Sequence, residues 1–531
     1  MTRLIGWLLV SGIVLGACSK GNFSQDASRD SKNVFRYPIP TNPTTLDPGK
    51  VQDGDTIDLL QQTYEGLVGW DQESKVSPRL ATKWEVSPDG KTYTFHLRTD
   101  AKFFSGRPVT AQDFKWCIER NCDPKLAFTT VADYLSDIVG VMDKHNGKRK
   151  DIPGIVVVDD HTLKIKIDKP RPYFLGKLTY PISFVFDKNA LKNPLTEITD
   201  PSEMIGTGPY IVSSVHNDQV VILKANPNYY GGAPKIAGIE RPIVTDAATR
   251  LEMYKSGQVD LVQLQRQDAL SLKNDPQYKS QLHFFERPCV WYVGLNTRLT
   301  PAFGDRRVRR AIAMAINKDN IIDVVLDKMN PKADGILPPK VFGHRDKVDG
   351  IGYDPKAAQL LLSQAGYPGG KGFPQVTMFY RESYPDIRIV ANAVGQDLKS
   401  NLGIDVSFKS LEWGHYLDLD NKNKLPLFHM RWGADYLDAQ NFLSTLLASY
   451  GPENHTQYSN PQFDALCSQA DSSMDPALRL KLYAQAEDIA LQDAAFIPIY
   501  FQNDAELISP RVKDIRESVF GHLPHTKLEL Q

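Results

Sequence analysis

Only one stretch of this 531-residue chain, at its N-terminus, is apolar for long enough to engage a membrane. Beyond Cys18 lie about five hundred residues, more than a single hydrophobic core can organise, so the apolar residues must be shared among two or three domains. Hydrophobic residues make up 41% and charged residues 24%, which is ordinary for a soluble globular body. With 62 basic and 63 acidic side chains, the chain carries no field suited to a phosphate backbone, and a nucleic-acid partner is not expected.

The N-terminal stretch is Arg3, then Leu4-Ile5-Gly6-Trp7-Leu8-Leu9-Val10 and Ile13-Val14-Leu15. It is short for a bilayer span and has the length of a signal-peptide core. It ends in Leu15-Gly16-Ala17-Cys18, which resembles a lipobox, with small residues for the peptidase and a thiol to be acylated. An ordinary signal peptide with a nearby cysteine is the competing reading, and the position of Cys18 directly after the small pair argues against it. The expectation is a signal peptide over 1–17, lipidation at Cys18, and a polar flexible tether over 18–33. The body would then sit on the periplasmic or cell-surface side of a bacterial membrane, attached through its lipid alone.

Strand and helix periodicities alternate along the rest, which predicts a mixed α/β fold. Thr92-Tyr93-Thr94-Phe95-His96-Leu97-Arg98, Leu163-Lys164-Ile165-Lys166-Ile167 and Ile404-Asp405-Val406-Ser407-Phe408 alternate with period two. Asp354-Pro355 opens a helix whose buried stripe is Ala358, Leu361, Leu362 and Ala365, closed by Gly366. A second helix carries Val308, Ile312, Ala315 and Ile316. The arginines at its start, Arg306, Arg307, Arg309 and Arg310, suggest an anion site, but at helical spacing a solvated face is favoured. Leu482, Tyr483, Ala486 and Ile489 mark a third. Asp89-Gly90 suits a tight hairpin, and Thr110 with Asp113 suits a helix start. Loops are expected over 206–209, 230–234 and 366–374. No linker separates contiguous domains, which favours domains assembled from distant segments.

No catalytic motif is present: there is no HExxH, GxSxG or GxxxxGK[ST]. Gly369-Gly370-Lys371-Gly372 lacks the hydroxyl of a phosphate loop and reads as a turn. His522 and His525 have a weak metal spacing for which chance is the better explanation. Asp435 and Asp438 fit a capping or ligand-contact role better than a hydrolytic dyad. Cys117 and Cys122 are spaced to pair across a helix end, with free buried thiols an equal alternative. No enzyme activity, metal or cofactor is expected.

Several segments, taken together, resemble the solute-binding proteins of peptide ABC importers (extracellular solute-binding protein family 5). They are Tyr64-Glu65-Gly66-Leu67-Val68, the run from Leu80 through Trp84 to Phe95, and Phe104-Ser105-Gly106-Arg107-Pro108 on to Phe114. Gly206-Thr207-Gly208-Pro209-Tyr210, Asn226 to Pro234, Val308 to Lys318, Tyr353-Asp354-Pro355 and Gly366-Tyr367-Pro368 continue the match over nearly the whole chain. The resemblance implies a periplasmic-binding-protein type II fold: two lobes that close over an extended peptide, with a third domain added. The expected division is lobe I from 34–64, 187–288 and 502–531, the extra domain from 65–186, and lobe II from 289–501.

The resemblance also implies a site. In Arg431-Trp432-Gly433-Ala434-Asp435-Tyr436, Asp435 is expected to pair with a peptide's α-amino group while the backbone of Arg431, Trp432 and Gly433 pairs with the ligand strand. Alone, Asp435 would more readily be a cap for a helix beginning near Ala439. Gln52, Asp53 and Gly54 are expected opposite, with Gln52 where enteric relatives carry an acid. Trp413 is expected to line a side-chain pocket. Positions that in some relatives are basic and hold the peptide carboxylate are Ile387, Asp420 and His429 here, with Arg388 as a neighbouring substitute. In some relatives a cysteine at position 433 pairs with one near Cys289; with Gly433 here, Cys289 is expected to be free. The expected partners are peptides with a free α-amino group and the permease subunits of an ABC transporter, with the binding protein a monomer. The alternatives are the same fold with a murein peptide, nickel chelate or haem as cargo, or a secreted hydrolase or adhesin on the same anchor.

Overall fold

The structure, a computed structural model, describes residues 31–382 and 385–531. The expected signal peptide, Cys18 and the tether as far as residue 30 lie outside the described residues. Among those described, no helix is long and apolar enough to cross a membrane.

The fold is mixed α/β, as the two periodicities predict. Its largest sheet has six strands in the order Leu261–Gln263, Ile497–Ile508, Leu282–Leu295, Leu427–Gly433, Val376–Arg381 and Val406–Leu411. Along Leu282–Leu295 the side chains alternate between two cores. Trp291, Val293 and Leu295 enter one with Ile312 and Val394; Val290 and Tyr292 enter the other with Phe428, Phe442 and Tyr483. Burial on both faces explains why this strand reads as a continuous apolar run rather than as an alternating one. The first half of the chain holds two four-stranded sheets. One runs Val34–Arg36, Gly238–Pro242, Val220–Ala225, Tyr210–His216; the other runs Ala81–Val86, Thr92–Leu97, Thr162–Lys166, Ile155–Asp159. One continuous core, with Phe35, Phe95, Phe114 and Phe186 fully buried, serves both.

Two long strands, Leu282–Leu295 and Ile497–Ile508, tie the halves together. Their antiparallel register breaks between Glu286↔Asn503 and Val290↔Phe501. Arg287, Pro288 and Cys289 thus stand opposite Gln502 alone. Pro288 has no N–H to give to the ladder, which accounts for the break at this point. The carbonyl of Pro288 instead accepts from Ala434 N at 2.8 Å.

Most local predictions hold. Asp354 caps Pro355–Gln364 by accepting from Ala357 N at 3.0 Å, and Gly366 ends it at φ 99°. Thr110 precedes Ala111–Asn121, where its N–H donates to Asp113 Oδ2 at 2.9 Å. Two expectations change, and the cysteines take the free-thiol alternative. The strand expected at 404–408 runs over Val406–Leu411. It is an edge strand, and Phe408 remains 39% exposed, its ring lying where a side chain on Gly395 would be. The arginine cluster is in part the solvated face favoured by its spacing, with Arg306 and Arg307 exposed, and in part a clamp on a helix end. Arg309 is buried and donates to the carbonyls of Asp493 and Phe303. Arg306 and Arg310 donate to that of Gln492, so these three satisfy the end of helix Pro476–Gln492, while Arg307 pairs with Asp305. Cys117, Cys122, Cys289 and Cys467 are all free and buried; Cys117 exchanges hydrogen bonds with the backbone of Phe186 rather than pairing with Cys122.

A buried ion pair locks the loop preceding the Gln52 segment. Arg120 grips both carboxylate oxygens of Asp47, at 2.9 and 2.6 Å, and Asp47 also accepts from the N–H groups of Gly49 and Ile198. Asp47→Ala leaves the guanidinium buried without its counter-charge. It should destabilise the protein by about 3–5 kcal/mol, read as a lower denaturant midpoint at unchanged slope.

Candidate functional site

A cavity of about 500 Å³ lies between the two halves of the molecule, against the register break. Arg287, Pro288 and Cys289 from one long strand and Gln502, Asn503 and Asp504 from the other line it. Gln502 is the hub of this wall. Its Oε1 accepts from Trp291 Nε1 and Arg431 Nη1, each at 3.0 Å, and its Nε2 donates to Asp504 Oδ1 at 2.6 Å. Arg287 pairs with Asp504 at 2.7 Å.

Strand Leu427–Gly433 supplies the most distinctive wall. It pairs with Leu282–Leu295 over its full length, from Leu427↔Leu295 to Gly433↔Cys289. On its other edge, it pairs with Val376–Arg381 only at Leu427 and Phe428. From residue 429 to residue 433 that edge has no strand partner among the described residues, and Met430, Arg431, Trp432 and Gly433 line the cavity. An exposed edge of this kind is a template for another extended chain.

Asp435 lies just beyond the strand, also in the cavity wall. Asn441 fixes it: Asn441 Oδ1 accepts from Asp435 N at 2.9 Å and from Trp432 Nε1 at 3.2 Å, while Asn441 Nδ2 donates to Asp435 Oδ2 at 3.1 Å. Burial pushes the Asp435 carboxyl up to about 7, although hydrogen bonds from Asn441 and Tyr134 pull the other way; Glu453 adds to the rise. No cation is within ion-pair distance of it among the described residues. The capping role belongs to Asp438, which accepts from Gln440 N at 3.1 Å and is held by Arg479 at 2.7 Å. Nothing in the local sequence distinguishes Asn441 from a surface amide, and sequence reasoning missed it.

Gln52, Asp53 and Gly54 line the cavity from the other half. Asp53 is committed as a helix cap, accepting from Thr56 N at 2.9 Å and from Thr44 Oγ1. Trp413 lines the cavity, with the Arg381 guanidinium 5.0 Å from its ring. Of the positions expected to lie near a ligand carboxylate, Ile387 and Asp420 line the wall. His429 is buried away from it; burial, with Arg381 nearby, drives its imidazole down to about 3, so it is neutral. Arg388 is exposed on the helix next to Ile387 and is not in the cavity wall, since consecutive helical residues point about 100° apart. Arg381, which sequence reasoning overlooked, is the arginine beside Trp413.

His522 does not form a pair with His525, whose Nε2 instead lies 3.1 Å from Tyr37 Oη. Its own Nε2 lies 3.1 Å from Glu506 and 3.4 Å from Glu517, the one group of three possible metal donors among the described residues. Burial opposes its charge, but these carboxylates lift the imidazole to about 10.

The family model for bacterial extracellular solute-binding proteins, family 5, matches residues 75–454. The periplasmic oligopeptide-binding protein of Escherichia coli (strain K12) is 28% identical, the match covering 96% of each chain. A probable deoxycholate-binding periplasmic protein of the same organism is 31% identical, again over 96% of each. The solved structure of the Escherichia coli murein tripeptide binding protein superposes with a TM-score of 0.85 at 27% identity, covering 94% of this chain and 99% of that one. The unliganded open form of the same protein gives 0.70. The fold is thus the periplasmic-binding-protein type II arrangement of two lobes with an additional domain. With the cavity between those lobes, the chain belongs to the bacterial extracellular solute-binding proteins of family 5.

Proposed function

We propose that this protein is the substrate-binding lipoprotein of an ABC importer, capturing peptides between its lobes and delivering them to a membrane permease without catalysis. The observation that carries this reading is the open edge at 429–433 running directly into Asp435, a carboxylate with no cation beside it. The edge offers backbone pairing that any peptide sequence can use, and the carboxylate offers a partner for an α-ammonium. Gln52 to Gly54 would face the same ligand from the opposite lobe, and Arg381 beside Trp413 is the cation placed for a carboxylate. The relatives named for oligopeptides and murein tripeptide fit this reading. The better superposition on one murein tripeptide binding protein structure than on its open form fits lobes that close on a ligand. Lipidation at Cys18 would keep this monomeric carrier near its permease.

Asp435 must be ionised to hold an ammonium. Its carboxyl titrates at about 7 without ligand, so the affinity for a free-amine peptide should fall by about tenfold per pH unit below that point. Titration calorimetry of trialanine at pH 7.5 and 5.5 checks this, and an N-acetylated peptide that binds equally well would sink the amino-capture idea. Asp435→Asn should weaken trialanine binding by at least about 100-fold, the loss expected on breaking a buried ion pair.

The same variant should be more stable than the wild type when empty. A carboxyl raised from about 4 to about 7 in the folded state destabilises progressively as pH rises through that window. Asp435→Asn should thus add about 1–3 kcal/mol at pH 8 and nothing below about pH 4, read from denaturant midpoints. Equal midpoints at pH 8 would contradict it.

A further inference from the structure

Helix Trp413–Asn421 presents Trp413, Leu417 and Asp420 to the cavity. Spacings of four and three put all three on one helical face. Asp420 is 3% exposed and lies at the inner end of that face. Its Oδ1 has no hydrogen-bond partner, and its Oδ2 is 3.6 Å from His455 Nε2, beyond hydrogen-bond distance. The nitrogens of His455 are directed elsewhere, Nε2 to Glu453 at 2.9 Å and Nδ1 to Asn423 at 3.1 Å. Glu453 also lines the cavity. Two carboxylates therefore share one imidazolium, leaving a net negative charge and an unsatisfied acceptor in a buried wall. A buried acceptor without a donor is costly to maintain.

We infer that this face is a subsite for a cationic side chain of the bound peptide, with Trp413 and Leu417 covering an aliphatic stem and Asp420 receiving the ammonium or guanidinium. The inference rests on the peptide-binding reading and narrows it to peptides carrying lysine, arginine or another diamino acid. Long basic side chains have this division, an apolar stem with a charged tip. Burial holds the Asp420 carboxyl up to about 6, with His455 the positive group acting against it; an entering cation would supply the missing partner.

The test compares tripeptides in which lysine or norleucine, its uncharged counterpart, occupies each position of an alanine background, with binding to the purified protein measured by calorimetry. At one position lysine should bind about tenfold or more tightly than norleucine, the size of one charge-assisted contact. Asp420→Asn should shrink that ratio to about twofold or less. Equal binding of lysine and norleucine peptides at every position of the wild type would overturn the subsite while leaving peptide capture intact. A lysine preference that survives in Asp420→Asn would overturn the role of Asp420. Failure of every tripeptide to bind would overturn the peptide reading and the subsite together.

Discussion

The pairing of strands Leu282–Leu295 and Ile497–Ile508, and its interruption at Pro288, is the constraint on which the site depends. A continuous ladder would have joined the lobes as one stiff sheet and buried the space between them. With three residues facing one, the ladder opens where the lobes meet, and the backbone and side chains released there form the cavity wall. The carbonyl of Pro288, turned from the ladder, accepts from Ala434 and so helps seat the turn that presents Asp435. Cys289 stands directly opposite Gly433, and the edge left open at 429–433 is the strand's other one.

On the peptide-binding reading, electrostatics would give this geometry its selectivity. Arg120–Asp47, Arg479–Asp438 and Arg287–Asp504 are pairs in which burial is offset by a partner. Asp435 and Asp420, in the cavity wall, are matched less completely: among the described residues the first is held by Asn441 but has no ion-pair partner, and the second has an oxygen with no hydrogen-bond donor. A protein that must bind and release gains from such incomplete pairing. On the peptide-binding reading, the ligand would supply what folding left out, and closure of the lobes would be favoured by the state in which the charge is matched.

Much of the scaffold was legible in the sequence because its signals are local. Asp354-Pro355 caps its helix, Gly366 takes the left-handed conformation that ends it, and Thr92–Leu97 alternates as a half-buried strand should. The failures share a cause. Phe408 alternates correctly and is still partly exposed, because an edge strand offers less cover than its pattern presumes. The four arginines look like a charged face, yet Arg309 is buried by carbonyls at the end of a helix nearly two hundred residues away. The spacing of His522 and His525 reads as chance, and the chain directs one to Glu506 and Glu517 and the other to Tyr37.

The sequence by itself determined the class of fold, the helix and strand starts, and, through the resemblance of its motifs, the family and the expected importance of Asp435. Those conclusions depend on neighbours in the chain or on patterns of residues along it. Only the tertiary structure decided that Asn441 fixes Asp435, that Asp438 rather than Asp435 is the cap, that Asp53 is occupied by its own helix, and that Asp420 faces the cavity while His429 does not. Each of these depends on which groups remain unpaired after distant segments pack, and hydrogen-bond satisfaction in a buried wall is a property of the assembled fold, not of any stretch of chain.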